Sequence, residues 1–294
     1  MDISIITPFY KGNDFIFLLT ESIQKAIDQL KDKKLVEHII VNDSPEYDVK
    51  LPEKLSYNLR VVNNNENQGI HQSRVNGLKH AKGEFIIFLD QDDTLTPNAL
   101  KSQLYSIESS DICVGNGYFC FPNGDIKPIY KNKLMMRSLR REKPYIYVRD
   151  LIVSPGQVII RKDSIPLAWK DNILKLNGTD DYLLWLLMLD ERKKISFNED
   201  YVYTHIDSGV NLSFNLKNME KSMNELLSIL KEVNYNSNKI KLLERRTSYK
   251  GKLLESTSKF SFDNVINLDI FLYNVYYRIF YGGNVISYKD MVKK

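Results

Sequence analysis

The feature that most constrains this chain is a series of short apolar runs, each closed by polar residues. Ile3 to Thr7, Val36 to Asn42, Leu59 to Asn63 and Phe85 to Phe88 are too short for helices and rich in apolar or β-branched residues, so they read as buried strands. Between them, Asp14 to Leu30 and Ile70 to Ala81 carry apolar residues at helical spacing. Strands that alternate with helices and read as apolar runs predict an α/β fold: a mostly parallel, Rossmann-like sheet flanked by helices. Ligands of such sheets bind beyond the carboxyl ends of the strands. Here those ends carry Thr7-Pro8, Asn42-Asp43-Ser44, Asn63 to Asn65 and Asp90 to Asp93, so one edge of the sheet is predicted to be a binding crevice.

Downstream the pattern changes. A helix is expected from Pro97 with Thr96 as its N-cap, followed by short strand pieces from Asp111 to about Tyr130 around a turn at Pro122 to Asp125. Gln157 to Lys162 reads as a further strand, and Thr179 to Leu189 as an apolar helix whose acidic first turn suits the helix dipole. Past Asn215 three lysine-rich helices are expected, near 216–233, 239–256 and 264–281.

The 294 residues are enough to bury a substantial core, and a content of 43% hydrophobic and 27% charged residues is that of a globular protein. A net charge of +4 is too small to argue for nucleic acid, though it suits an anionic substrate or an anionic membrane surface. Cys113 and Cys120 lack the companions of a zinc site, and the first ten residues do not read as a secretory signal. Reduced thiols in a cytoplasmic protein, peripheral at most to a membrane, are the expectation. No apolar stretch approaches the roughly 20 residues of a membrane span.

The stretch FLDQDDTL carries the chemistry. Residues two apart on a strand share a face, so Asp90 and Asp92 converge while Gln91 turns away. Two carboxylates brought together repel unless a proton or a cation lies between them, and Mg²⁺ or Mn²⁺ is the natural occupant. A solvated turn would place acids here too. So would a haloacid dehalogenase-like phosphatase, with Asp90 as nucleophile and Asp92 as acid/base. That enzyme needs the motif on its first strand and a later acidic pair closing a strand; here Asp180-Asp181 opens a helix.

In their order along the chain these residues resemble the family 2 glycosyltransferases, inverting enzymes of the GT-A fold, of the kind that builds bacterial surface polysaccharides. Ile5-Ile6-Thr7-Pro8-Phe9-Tyr10 matches the opening strand and turn, departing at Tyr10-Lys11 where the family has Asn. Asn42-Asp43-Ser44 matches its D-D-x-S, Asn67-Gln68-Gly69 with Ser73 to Gly77 its N-x-G and A-R-N-x-G elements, and Asp90 to Asp93 its D-x-D-D. Asp180-Asp181-Tyr182-Leu183-Leu184-Trp185 matches E-D-(aromatic)-x-L-W, with Asp in place of Glu. The resemblance covers about residues 1 to 215.

It implies a nucleotide-sugar-binding half over 1–110, an acceptor-binding half over 111–215 and a C-terminal helical region over 216–294. It implies donor contacts at Thr7, Pro8, Phe9, Tyr10, Asp43, Asn67, Gly69, Arg74, Asp90, Gln91 and Asp92, with Asp43 on the uracil ring and Asp90 on the ribose. Asp92 would bind Mn²⁺ or Mg²⁺, His205 is a further candidate for metal or phosphate, and Asp181 would be the catalytic base. Asp93 and Asp180 are secondary candidates. The implied partners are a UDP-sugar and a glycan or lipid-linked saccharide acceptor; a non-catalytic nucleotide-sugar-binding relative is the competing class. Trp169 and Trp185 read as core. The aromatic and basic C-terminal helices read as a packing layer or dimer surface, or as a contact with the membrane surface.

Overall fold

The computed structural model describes residues 2–31, 36–207, 216–255 and 262–282. Ile3–Phe9 (β1) is buried along its whole length because strands flank it on both sides. Val36–Asn42 (β2) pairs parallel with it on one side and is extended by Asn58–Asn63 (β3); Phe85–Phe88 (β4) pairs parallel on the other. Pro8 lies past the β4 ladder, which ends at Ile6, so its missing N–H falls where β1 has one neighbour. Asn13–Ile27 (α1) and Ile70–His80 (α2) make the connections. Helix α2 lies so close to the sheet that a Cβ on Gly77 would come within 2.3 Å of Ile6.

The second half is mixed. Thr94–Leu95 (β5) leads to Ala99–Ile107 (α3), then Ile112–Cys120 (β6), Ile126–Pro128 (β7), Lys133–Ser138 (α4), Glu142–Tyr147 (α5), Val158–Arg161 (β8), Leu167–Asp171 (α6), Asp180–Asp190 (α7) and Ile195–Ile206 (β9). The sheet runs β3-β2-β1-β4-β8-β6-β9-β5, with β7 paired to β6. Strand β8 is antiparallel to both β4 and β6, β9 parallel to β6, and β5 antiparallel to β9. The boundary near residue 110 therefore falls within one continuous sheet.

Helix α3 begins at Ala99, not Pro97, and Thr96 does not cap it. Its hydroxyl donates to Tyr201 O at 2.6 Å and its amide to Val202 O at 3.1 Å, so the β5–β9 ladder claims it.

The C-terminal region is helical: Leu216–Glu232 (α8), Ser237–Glu255 (α9), Phe262–Ile266 (α10) and Leu268–Tyr281 (α11). The expected single helix over 264–281 is broken at Asn267. Helix α9 packs on α5, and α11 on α4 and α5, where the Tyr277 and Ser138 hydroxyls meet at 2.9 Å. The YKDMVKK segment at 288–294 lies outside the described residues. Among the described residues no helix is long and apolar enough to cross a membrane. Cys113 and Cys120 are free thiols.

Candidate active site

The carboxyl ends of β1, β2, β3 and β4 lie side by side, and the polar residues that close each strand interlock. After β2, Asp43 is 4% exposed and its amide donates to Phe9 O at 2.8 Å. Its carboxylate accepts from Asn64 Nδ2 at 2.7 Å, Gln68 N at 2.8 Å and Gly69 N at 2.9 Å. It thereby gathers the β3–α2 loop, where Gly69 adopts a φ of +86° that a side chain would strain. Asn67 is exposed on that loop and accepts from Gly69 N. Asn42, which replaces the family's first acid, ties the β2 end to Tyr47 and Asn63.

On β1 the expected donor contacts divide. Thr7 and Phe9 are fully buried, and the Thr7 hydroxyl pairs with His38, whose imidazole burial depresses to about 3. Those two side chains, and that of buried Pro8, pack into the core, so any contact these residues make with a donor would be through the backbone at the end of β1. Tyr10 is 48% exposed at the mouth. The Gln91 amide pairs with both Tyr10 N, at 3.0 Å, and Tyr10 O, at 3.3 Å, so it latches the β1–α1 turn to the acidic strand end. Lys11 in that turn has a φ of 50°, a left-handed conformation that Asn tolerates better, which accounts for the family's residue there.

Arg74, on α2, is the hub of the acidic end. Its guanidinium is 3% exposed and forms ion pairs at 2.5 Å with Asp90 after β4 and at 2.5 Å with Asp180 at the start of α7. Burial raises the Asp90 carboxyl, and Arg74 opposes that rise. Asp180 is itself 3% exposed, and its carbonyl accepts from Trp169 Nε1 at 2.8 Å. Trp169 is core, as expected, and its indole also fixes the first turn of α7. With Asp90 locked to Arg74 and Asp180-Asp181 opening a helix, the requirements of the phosphatase are not met.

Sequence reasoning missed the partners of Asp93. Because β5 pairs Thr94 with Thr204 of β9, buried Asp93 accepts from the Tyr203 hydroxyl and from Ile206 N, and lies 3.1 Å from His205 Nδ1. Burial lowers the His205 pKa, but Asp93, then Asp92 and Asp90, raise it to about 9, so an imidazolium stands beside the acids. Its proton would have to leave before the ring could ligate a metal. The signal available was the spacing of Tyr203 and His205 on one face of a strand.

Asp92 is half-buried. Burial, then Asp93 and Asp90, push it up to about 7. Such a carboxylate favours a proton or a cation beside it. Among the described residues no three His, Cys, Asp or Glu side chains converge as a ligand set. One carboxylate completed by phosphate oxygens and water is nevertheless a donor set that Mg²⁺ or Mn²⁺ takes.

Across the crevice, Asp181 accepts from Tyr182 N at 2.7 Å. Burial, then the charges of Asp150 and Asp180, hold its pKa well above the usual range, with Arg74 opposing. A raised carboxylate next to a cleft is the form of a general base.

Residues 4–166 match the family model described as Glycosyl transferase family 2. The cholesterol galactosyltransferase of Borreliella burgdorferi is 26% identical over 256 residues, covering 78% of this chain and 67% of that protein. An uncharacterized glycosyltransferase of Haemophilus influenzae is 32% identical over 37% of the chain, which spans 35% of its length. The minor teichoic acid biosynthesis protein GgaB of Bacillus subtilis is 33% identical over 112 residues, 35% of this chain and 12% of that protein. Among solved structures, residues 1–349 of S. aureus TarS in complex with UDP-GlcNAc share the fold, with a TM-score of 0.58 at 21% identity over 84% of this chain and 71% of that one.

Proposed function

Because this chain belongs to glycosyl transferase family 2 and has its GT-A fold, we propose that it moves a sugar from a UDP-sugar to a hydroxyl of a glycan or lipid-linked saccharide, with inversion, in cell-surface polysaccharide synthesis. The observation that carries this reading is the crevice itself: Asp43, Asp90 and Asp92 lie at the strand ends, and Arg74 ties Asp90 to Asp180, which opens the helix that carries Asp181. TarS solved with UDP-GlcNAc and with UDP supports the donor, and the name of GgaB supports the surface-glycan setting.

The nucleotide would lie across the ends of β1, β2 and β3, with uracil near Asp43 and ribose near Asp90. Asp92 would hold Mn²⁺ or Mg²⁺, which supplies neutralisation of charge on the diphosphate. As the acceptor oxygen bonds to the anomeric carbon, the bond from that carbon to the diphosphate breaks, UDP leaves, and the hydroxyl proton passes to Asp181. Arg74 is a positioning residue in this scheme, not a phosphate contact, since both ends of its guanidinium are engaged by carboxylates. The His205 imidazolium would face the departing diphosphate.

UDP release from a panel of UDP-sugars with Mn²⁺ tests the reading. Asp92→Ala should lower turnover by about tenfold or more, since it removes the sole protein carboxylate assigned to the cation. Absence of release with every UDP-sugar removes the donor assignment.

We also place the chain on the inner face of the membrane through α10 and α11. There Ile266 (61%), Leu272 (54%), Ile279 (70%) and Phe280 (59%) are exposed together. Anionic vesicles should sediment the full chain and leave Ile279→Asp/Phe280→Asp in solution. Equal sedimentation of the two would remove this contact.

A further inference from the structure

Helix α7, which carries Asp181, lacks a side-chain cap of its own. Thr179 stands at its N-cap position, yet the Thr179 side chain caps no amide of the helix. Its hydroxyl turns instead to buried Ser222 of α8, 2.8 Å from the Ser222 hydroxyl and 3.1 Å from its carbonyl oxygen. The Ser222 hydroxyl donates in turn to Leu176 O at 3.0 Å. One turn further along α8, both oxygens of the Glu225 carboxylate are engaged by the same loop. Oε1 accepts from Lys175 N at 2.9 Å and Oε2 from Leu176 N at 3.0 Å. Such bonds from backbone amides to a charged acceptor are stronger than neutral ones. The loop ahead of Asp181 is therefore gripped by the C-terminal region, which the family match to residues 4–166 does not reach.

Helix α2 holds the other side of this loop. His71 is fully buried and packs on Trp169 with ring centroids 4.4 Å apart. Leu174 N donates to His71 Nδ1 at 3.0 Å, so the ring proton is on Nε2, which donates to Trp169 O at 3.1 Å. Burial lowers the His71 pKa and favours this neutral form. Asn177 Oδ1 then accepts from Ile70 N at 2.9 Å, at the first residue of α2. Residues 174–177 are thus pinned between the donor half and α8, immediately ahead of the turn that presents Asp180 and Asp181.

We propose that Glu225 is a positioning residue for sugar transfer: by gripping the 174–177 loop against His71 and Ile70 of α2, it sets the first turn of α7 and so the place of Asp181. A base displaced by about 1 Å can lose about 10²-fold in rate, so a clamp on the backbone before it reaches the chemistry without touching substrate. That the clamp serves sugar transfer rests on the glycosyltransferase reading; that it sets the start of α7 does not.

Amide hydrogen exchange and UDP release, both on the full chain, test the two parts separately. In Glu225→Ala, exchange should quicken at Lys175 and Leu176, which lose their acceptor. It should quicken also at Leu183, bonded to Thr179 O at 2.9 Å, and at Ile70 across the loop. Quickening confined to Lys175 and Leu176 overturns the clamp, and this result needs no activity. The kcat for UDP release should fall by about 10²-fold; a value within a few-fold of wild type, at a temperature where the variant is folded, overturns the positioning role. In the Asp181→Asn background Glu225→Ala should cost little more, because it acts through the base. A loss there as large as in the wild-type background overturns the role too, since a general loosening of the fold would give it. Glu225→Gln keeps one accepting oxygen and should fall between wild type and Glu225→Ala in both measurements, so it carries the same predictions if Glu225→Ala does not fold. Absence of UDP release from the wild type would count against the glycosyltransferase reading, with the exchange pattern still deciding the clamp.

Discussion

Asp181→Asn is expected to lower kcat by about 10²–10⁴-fold, the usual contribution of a positioned general base, while leaving the fold at least as stable. The two halves of this expectation come from one geometry. Asn keeps the Oδ1 that accepts from Tyr182 N, so the first turn of α7 retains its hydrogen bond. It removes a carboxyl that burial and the charges of Asp150 and Asp180 hold well above its ordinary pKa. A carboxyl raised on folding contributes stability that is present below its unfolded pKa and lost as pH rises through the folded value. Thermal melts should therefore show the wild type losing stability as pH rises above about 4, with the loss smaller in Asp181→Asn. The activity runs the other way, because the base must be deprotonated and kcat should climb with pH through the same raised pKa. Asp150→Asn serves as the control, since it too is half-buried and raised, to about 7, chiefly by burial. A kcat in Asp181→Asn within a few-fold of wild type, or a larger loss in Asp150→Asn, would move the base from one to the other.

The first half of the fold was legible because β1, β2 and most of β4 are buried and read as unbroken apolar runs, with part-buried β3 at the sheet edge still rich in β-branched residues. Val36–Asn42 has the expected bounds, and β1, β3 and β4 lie within a few residues of theirs. The second half was not, for a reason visible in β9. Its sequence ISFNEDYVYTHI alternates poorly because Asn198, Glu199 and Asp200 interrupt it where its register with β6 shifts. That shift turns Tyr203 and His205 toward Asp93, a pairing across 110 and 112 residues that no local pattern announces. The acidic ends of β2 and β4 could be read as a crevice from their order alone. What could not be read was which acids are engaged inside the protein: Asp43 with the β3–α2 loop, Asp90 with Arg74, Asp93 with β9. The burial of the Thr7 and Phe9 side chains could not be read either, since a motif position at a strand end does not say which face its side chain takes.

Arg74→Met tests the hub that joins the two halves, and it should cost about 3–5 kcal/mol, the loss that follows when one partner of a buried ion pair is removed. An exposed arginine would cost about 1 kcal/mol or less; what decides between these values is burial. The Arg74 side chain is 3% exposed, Asp180 4% and Asp90 25%, so removing the cation leaves two carboxylates without a counter-charge and little water to screen them. The penalty should depend on pH in a definite direction. Arg74 holds the Asp90 carboxyl down against burial, so without it Asp90 would take up a proton more readily in the folded chain, and the variant should recover stability on acidification and lose it as pH rises. Arg74→Lys should restore only part, because an ammonium cannot present two parallel donors to carboxylates 90 residues apart in sequence. Chemical denaturation at pH 5 and pH 8 reads all three variants. A loss under about 1 kcal/mol at pH 8 would mean that the guanidinium is not a clamp. The loss should also reach catalysis before the chain unfolds, since Arg74 is what fixes Asp180, and with it Asp181, against the strand end that carries Asp90 and Asp92.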